Sequence, residues 1–268
     1  MKKPFLVLSF VLLSLSLFAQ EWVDKRLKNS PRHQEWVQLT SGTKTLHSFI
    51  TYPEVSKKVP VIIVIHENKG LNDWARSVTD QFAEAGYIAM APDLLSGAAP
   101  NGGKTSDFAS PDEATKAIYA LNQNQVTADL NSVFEYAKKI PSSNGKVLVV
   151  GFCWGGGQSF RYAADQPDLQ AALVFYGTGV SAAGDVAKIK APVYGFYGGN
   201  DQRINAGIPE VEKAMKASGK VYKPVIYEGA GHGFYRAGED QAGTEANKKA
   251  RDMAYERVME IFGLISKP

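Results

Sequence analysis

Four short stretches carry side chains that could do chemistry together, and each follows an apolar run. They are His66-Glu67-Asn68, Gly151-Phe152-Cys153-Trp154-Gly155-Gly156, Gly198-Gly199-Asn200-Asp201 and Gly231-His232-Gly233-Phe234. Cys153 is the single cysteine of 268 residues. Gly-x-Cys-x-Gly between an apolar run and a helix start is the pattern of a nucleophile on a tight strand-to-helix turn, where the neighbours must be small. The helix N-terminus behind it should favour a thiolate, and the backbone N–H of Trp154 is placed to receive an oxyanion. A second N–H for that oxyanion is expected at Asn68, in the loop after the third strand. Asp201 alone would be a turn or cap residue, and His232 alone a solvated loop histidine. In chain order, however, thiol, carboxylate and histidine stand at three separate strand ends, an order that recurs for nucleophile, orienting acid and base on open α/β sheets. Glu67, a carboxylate at a buried strand end, either caps the next helix or sits beside the thiol as a proton acceptor.

Other chemistries are excluded by what is missing. His66-Glu67 would begin a zinc-peptidase motif, but Gly70 occupies the place of the second histidine, so no metal is expected. The glycines after Cys153 lack the Gly-Lys-Ser/Thr of a phosphate-binding loop. His33 and His47 receive no role. The net charge is +3 and falls to +1 without Lys2 and Lys3, which gives no argument for nucleic acid. One cysteine permits no internal disulfide, so stability must come from a core, which 44% hydrophobic residues can supply.

The elements that must position these groups alternate in type. Residues 35–40 and 45–52 read as two antiparallel strands around Ser41-Gly42, and Val59 to Ile65 as a strand buried on both faces. Helical spacing of Trp74, Val78, Phe82 and Ala85 predicts a helix over 73–85 that ends at Gly86. A short strand follows at 87–91, then a helical region with at least one break over 111–139. Further strands are expected at 146–151, 171–176, 192–197 and 222–228, and helices at 154–165, 206–218 and 239–262. Strands alternating with helices predict a mostly parallel sheet covered on both faces, a single α/β domain whose ligands bind at the carboxyl ends of the strands.

At the front, Met1-Lys2-Lys3-Pro4 precedes an apolar run from Phe5 to Phe18 and then Ala19-Gln20. Two positive charges, a short apolar stretch and a small residue predict a cleavable signal over 1–19 and a secreted or periplasmic protein. The run is shorter than the about 20 residues that span a bilayer. Residues 20–44 are read as an N-terminal arm with the first strand, and 45–268 as the domain proper. No membrane association is expected once the signal is removed.

From about Thr45 onward the chain resembles the dienelactone hydrolase (carboxymethylenebutenolidase) family of α/β-hydrolases. The resemblance rests on Val-Ile-His-Glu67-Asn-Lys-Gly-Leu, Gly86-Tyr-Ile-Ala-Met-Ala-Pro-Asp93-Leu, Gly-Phe-Cys153-Trp-Gly-Gly, Tyr-Gly-Gly-Asn-Asp201 and Gly-His232-Gly-Phe-Tyr-Arg236. It implies an α/β-hydrolase fold and hydrolysis of a small ester or lactone without a cofactor. It also implies Cys153 as nucleophile, His232 as base, Asp201 as its orienting acid, and Glu67 as the group that exchanges partners with the thiol. Arg236 matches a clamp for a substrate carboxylate. The family's second clamping arginine is absent, with Gly97 in its place; Lys104, in a long polar loop expected to be mobile, could swing in as a cation, but a lysine is a point charge and no match for an arginine fork. Trp154, Tyr176, Phe234 and Tyr235 are either pocket walls or core. The protein is expected to be a monomer. The alternative readings are a non-catalytic binding module on the same fold, and a thiol redox protein, which would lack a resolving cysteine.

Overall fold

The computed structural model describes residues 23–266; the segment read as a signal lies outside the described residues. A helix, α1, covers 23–29. The hairpin β1 (Gln34–Ser41) and β2 (Lys44–Thr51) turns at Gly42, whose φ of +61° favours a residue without Cβ. Then follow β3 (Val59–Ile65), α2 (Asp73–Glu84), β4 (Ile88–Pro92), α3 (Pro111–Ala120), α4 (Gln123–Lys139), β5 (Ser143–Phe152), α5 (Trp154–Asp165), β6 (Ala172–Phe175), α6 (Ala183–Val186), β7 (Val193–Gly198), α7 (Gln202–Asn205), α8 (Ile208–Ala217), β8 (Tyr222–Tyr227), α9 (Phe234–Glu239) and α10 (Glu245–Ser266). One eight-stranded sheet runs β1-β2-β4-β3-β5-β6-β7-β8. Its first two pairings, β1 with β2 and β2 with β4, are antiparallel; the other five are parallel.

All seven residues of β3 are buried, and successive side chains serve opposite faces of the sheet. Val61, Ile63 and Ile65 pack with α4 residues such as Leu130, Val133 and Phe134. Ile62 and Val64 pack with Val78 and Phe82 of α2 and with Val258 and Phe262 of α10. Each such branched side chain stabilises the fold by about 1.5–3 kcal/mol on burial. The resulting layers make β3 and β5 the rigid centre, and their carboxyl ends carry Glu67 and Cys153.

The expected break in 111–139 falls at Leu121-Asn122, where Asn122 caps α4 through Asn124 and Gln125 N–H. The helix expected over 239–262 starts later, as α10 at Glu245, and a short helix that was not expected, α9, precedes it. A turn closed by Gly243 N–H on the Asp240 carbonyl separates α9 from α10, and a Cβ at Gly243 would lie 2.0 Å from the Ala237 oxygen. The N-terminal arm is docked: Val23 and Leu27 are buried, and Arg32 grips Asp80 of α2. No described helix is long and apolar enough to cross a membrane.

Candidate active site

The turn from β5 into α5 holds Cys153 at φ +55° and ψ −114°, a conformation costly for a residue with a side chain. The surrounding backbone enforces it. A Cβ on Gly151 would meet the Gly155 carbonyl at 1.9 Å, and one on Gly155 would lie 2.4 Å from the carbonyl oxygens of Ile65 and His66. Glycine at both positions lets β5, α5 and the end of β3 meet at backbone distance. Cys153 N–H donates to Phe175 O at 3.0 Å, which fixes the turn to β6. The sulfur, half-buried, lies within reach of the backbone N–H groups of both Trp154 and Asn68.

His232 reaches this sulfur from the far side of the sheet's carboxyl edge. Its Nε2 is 3.3 Å from Cys153 Sγ, and its Nδ1 is 2.5 Å from Asp201 Oδ2. Asp201 is 6% exposed, so the carboxylate is held out of water. The two loops are stitched together, Asn200 N–H donating to Ala230 O and Asn200 Nδ2 to Gly229 O, and Gly231 N–H donates to Asn247 Oδ1 of α10. Gly198 permits this contact, since a Cβ there would meet Gly231 O at 2.5 Å.

The expected preference for thiolate is corrected. Burial, and then the charge of Glu67, push the Cys153 thiol above its ordinary range; the N–H of Trp154, the charge of Arg203 and the N–H of Asn68 offset this only in part. A low-dielectric site disfavours the charged form more than the helix end favours it. Glu67 is itself occupied, its Oε2 accepting from Arg236 Nε at 2.9 Å. It does not cap α2, whose cap is Asn72. His66 is fully buried, with Nδ1 donating to Glu67 O at 2.8 Å and Nε2 accepting from Leu94 N–H at 3.3 Å. Burial lowers its proton affinity, and its ring stacks on Trp154. His66 thus shapes the loop that carries Glu67 and Asn68. Among the described residues no cluster of His, Cys, Asp and Glu could hold a metal ion.

A cavity of about 170 Å³ opens at the thiol and is lined in part by Cys153, Trp154, Tyr176, Tyr119, Arg161 and Arg203. Tyr176 adopts φ +39°, packs its ring edge-on against His232, and buries its hydroxyl beside Glu67. Phe234 and Tyr235 are corrected from pocket walls to core. Both are 0% exposed, Phe234 against Phe175, Tyr176 and Tyr227, and Tyr235 against Phe152 and Phe175. Neither lines the cavity, because α9 starts at Phe234 and turns both rings under the sheet end. Arg236 borders a neighbouring hollow with Trp74 and Asn247.

Gly97 has φ +78°, and its N–H donates to Gly103 O, so this turn disfavours an arginine there. The loop expected to be mobile is tied down. Thr105 N–H and Oγ1 both donate to Asp93, and Thr105 Oγ1 accepts from Leu71 N–H. Lys104 sits over the Trp36 ring and does not line the cavity. Tyr119, Arg161 and Arg203 were not legible as site residues by motif. Arg161 was accessible by period alone, since it lies two helical turns from Trp154 on one face of α5.

An eight-stranded, mostly parallel sheet with helices on both faces and reactive side chains at its carboxyl edge defines an α/β-hydrolase. The sequence profile of the dienelactone hydrolase family matches residues 46–266. A protein of Salmonella typhimurium provisionally named carboxymethylenebutenolidase is 32% identical over 218 residues, covering 76% of this chain and 77% of its own. One of Saccharolobus solfataricus with the same provisional name is 31% identical over 261 residues, covering 85% and 97%. The crystal structure of a provisionally described dienelactone hydrolase from Klebsiella pneumoniae superposes with TM-score 0.75 at 24% identity, covering 87% and 98%. The chain belongs to the dienelactone hydrolase family and is a hydrolase acting on ester or lactone bonds.

Proposed function

We propose that the protein cleaves a small ester or lactone by attack of Cys153, with His232 as base and Asp201 as the acid that orients it. The observation that carries this reading is the continuous relay Asp201–His232–Cys153, at 2.5 and 3.3 Å. A carboxylate only accepts, so Nδ1 of His232 carries the proton and Nε2 is free to take one from the thiol. Because the resting sulfur is protonated, the transfer to Nε2 accompanies attack on the carbonyl carbon. The carbonyl oxygen becomes an oxyanion between the N–H groups of Asn68 and Trp154. When the C–O bond breaks, His232 returns the proton to the leaving oxygen. Water, deprotonated by the same Nε2, then hydrolyses the thioester and releases the acid and the thiol. Burial, and with it the charge of Glu67 that the Arg236 pair holds in place, keeps the thiol protonated until substrate arrives.

The test is hydrolysis of p-nitrophenyl acetate and of a carboxylated enol-lactone by wild type and Cys153→Ala. Turnover by wild type and a loss of at least about a thousandfold in the variant are expected. Full activity in a folded Cys153→Ala protein would remove Cys153 from the chemistry. We further propose that residues 1–19 direct export and are then removed. Recovery of the intact N-terminus from the extracellular or periplasmic fraction would overturn this.

A further inference from the structure

Gln158 lies one turn into α5 on the wall of the thiol cavity, and it is only 9% exposed. Its Oε1 accepts from Nε2 of Gln123, the first residue of α4, at 2.7 Å. That bond fixes which end of the Gln158 amide turns away from α4. Nε2 of Gln158 donates to no group among the described residues. A nine-tenths buried amide N–H2 without a protein partner is uncommon, because a bare donor loses its water and gains nothing for it. What remains accessible of Gln158 faces the cavity, so this donor is offered to whatever fills it.

Thr178 stands over the same turn. A Cβ on Gly157 would lie 2.9 Å from Thr178 Oγ1, so the bare backbone at 157 leaves the Thr178 hydroxyl and the Gln158 amide facing one space. Both groups are neutral and both can donate. Gln158 is four residues beyond Trp154, so the donor stands about 6 Å along α5 from the N–H that receives the oxyanion. The cavity follows α5 from Cys153 past Gly157 and Gln158, and His232 is not among its described lining residues. His232 must return its proton to the leaving oxygen, so the leaving group lies beside the imidazole and the acyl group takes the cavity.

We propose that Gln158, aimed by Gln123 and joined by Thr178, is a specificity-determining residue that binds a neutral acceptor oxygen on the acyl group of the substrate, a ketone, amide carbonyl or hydroxyl about 6 Å from the carbonyl that Cys153 attacks. A hydrocarbon chain of the same shape would strip water from the donor and put nothing in its place, and so is disfavoured. The acyl assignment rests on Cys153 being the attacking group. The donor site itself does not.

The experiment measures second-order alkylation of Cys153 by two neutral reagents at one pH. N-(2-oxopropyl)iodoacetamide carries a ketone oxygen, and N-isobutyliodoacetamide has a methyl in its place. In both cases the thiol proton is lost to solvent, the S–C bond forms and iodide leaves, so the ratio of the two rates cancels changes in thiol reactivity. It is measured in wild type, Gln158→Leu and Gln123→Leu, relative to a free thiol. Wild type is expected to favour the ketone by about tenfold over the free-thiol ratio. Gln158→Leu should bring the ratio to within about twofold of the free thiol, and Gln123→Leu, which lets the amide turn, should lose about threefold. No preference in wild type, or an unchanged preference in Gln158→Leu, would overturn the site. In parallel, kcat/KM is compared for p-nitrophenyl 5-oxohexanoate and p-nitrophenyl 5-methylhexanoate, its hydrocarbon counterpart, in the same three proteins. The keto ester should be preferred in wild type and not in Gln158→Leu. Preference in alkylation without turnover of either ester would sink the hydrolytic mechanism and leave the donor site standing. Turnover of both esters at equal kcat/KM, with no preference in alkylation, would do the reverse.

Discussion

Arg236 Nε donates to Glu67 Oε2 at 2.9 Å, so the carboxylate whose charge acts on the Cys153 thiol is already paired before any substrate arrives. The pair still leaves a net push on the sulfur, since burial and Glu67 together hold the thiol above its ordinary range. A protonated thiol is a poor target for oxidants and metals. Burial first, and the charge of Glu67 second, thus act against the reactive thiolate in the resting protein.

The sign of that push can be measured. Alkylation by iodoacetamide follows the thiolate fraction, so its rate climbs as pH passes the thiol's own midpoint. In wild type that midpoint should lie above the ordinary thiol value of 9.0. Glu67→Gln removes the negative charge and leaves Arg236 unpaired, so the curve should move to lower pH. Arg236→Gln bares Glu67 and should move it higher. Identical midpoints in the three proteins would show that Glu67 does not govern the thiol.

Asp201→Asn should leave the protein folded and reduce ester turnover by about three to four orders of magnitude. The amide would donate to Nδ1 of His232, which places the imidazole proton on Nε2. A protonated Nε2 cannot accept from the thiol 3.3 Å away. Steady-state kinetics on p-nitrophenyl acetate decide the point, and a change of less than tenfold would return Asp201 to a turn residue.

Gly155→Ala tests the turn itself. The added methyl would stand 2.4 Å from two carbonyl oxygens at the end of β3, contacts that real side chains do not make. Either α5 or the end of β3 must shift, and α5 and the loop after β3 carry the backbone N–H groups that reach the sulfur. We expect at least about 2 kcal/mol of destabilisation, in the range of strained or overpacked sites, with turnover lost beyond what unfolding explains. Gly184→Ala, where no atom lies within 4 Å of the added methyl, is the control. Equal stability of the two variants in urea would contradict the packing argument.

Most of the sheet was legible because its strands obey simple patterns. Val59–Ile65 is apolar throughout because both faces are covered, and the turn at Cys153 announces itself by glycines that only a backbone-to-backbone contact requires. Boundaries were less legible where a local turn overrode periodicity, as at Asp240–Gly243, which delays the helix expected from 239 until Glu245 and sets α9 apart from it. At the site, motifs named groups but not their partners. Phe234 and Tyr235 follow His232 directly, yet α9 begins there and buries both rings. Arg203 and Arg161 belong to no motif and face the cavity only because α5 and α7 converge there. The thiol's upward shift was illegible for the same reason: it depends on burial and on Glu67, which arrives from a strand 86 residues earlier in the chain.

The N-terminal arm offers the last test, because one buried carboxylate secures it. Asp80 of α2 is 0% exposed and accepts from Arg32 Nε at 3.0 Å and Nη2 at 2.6 Å, and from Ser30 Oγ at 2.6 Å. Gln34 Nε2 adds a longer contact at 3.3 Å. Arg32 is itself only 9% exposed, so removing Asp80 leaves a poorly hydrated cation with only Glu84, 4.0 Å away, as a counter-charge. Breaking a buried pair from one side costs about 3–5 kcal/mol. For a domain of this size, that corresponds to a fall in Tm of roughly 10 °C. Asp80→Ala should show this loss, and the double change Asp80→Leu with Arg32→Met, which removes both charges, should recover much of it. The comparison separates the cost of an orphaned charge from the worth of the pair. If the double variant melts no higher than Asp80→Ala, the arm is held by the hydrogen bonds of Ser30 and Gln34 and not by the guanidinium of Arg32.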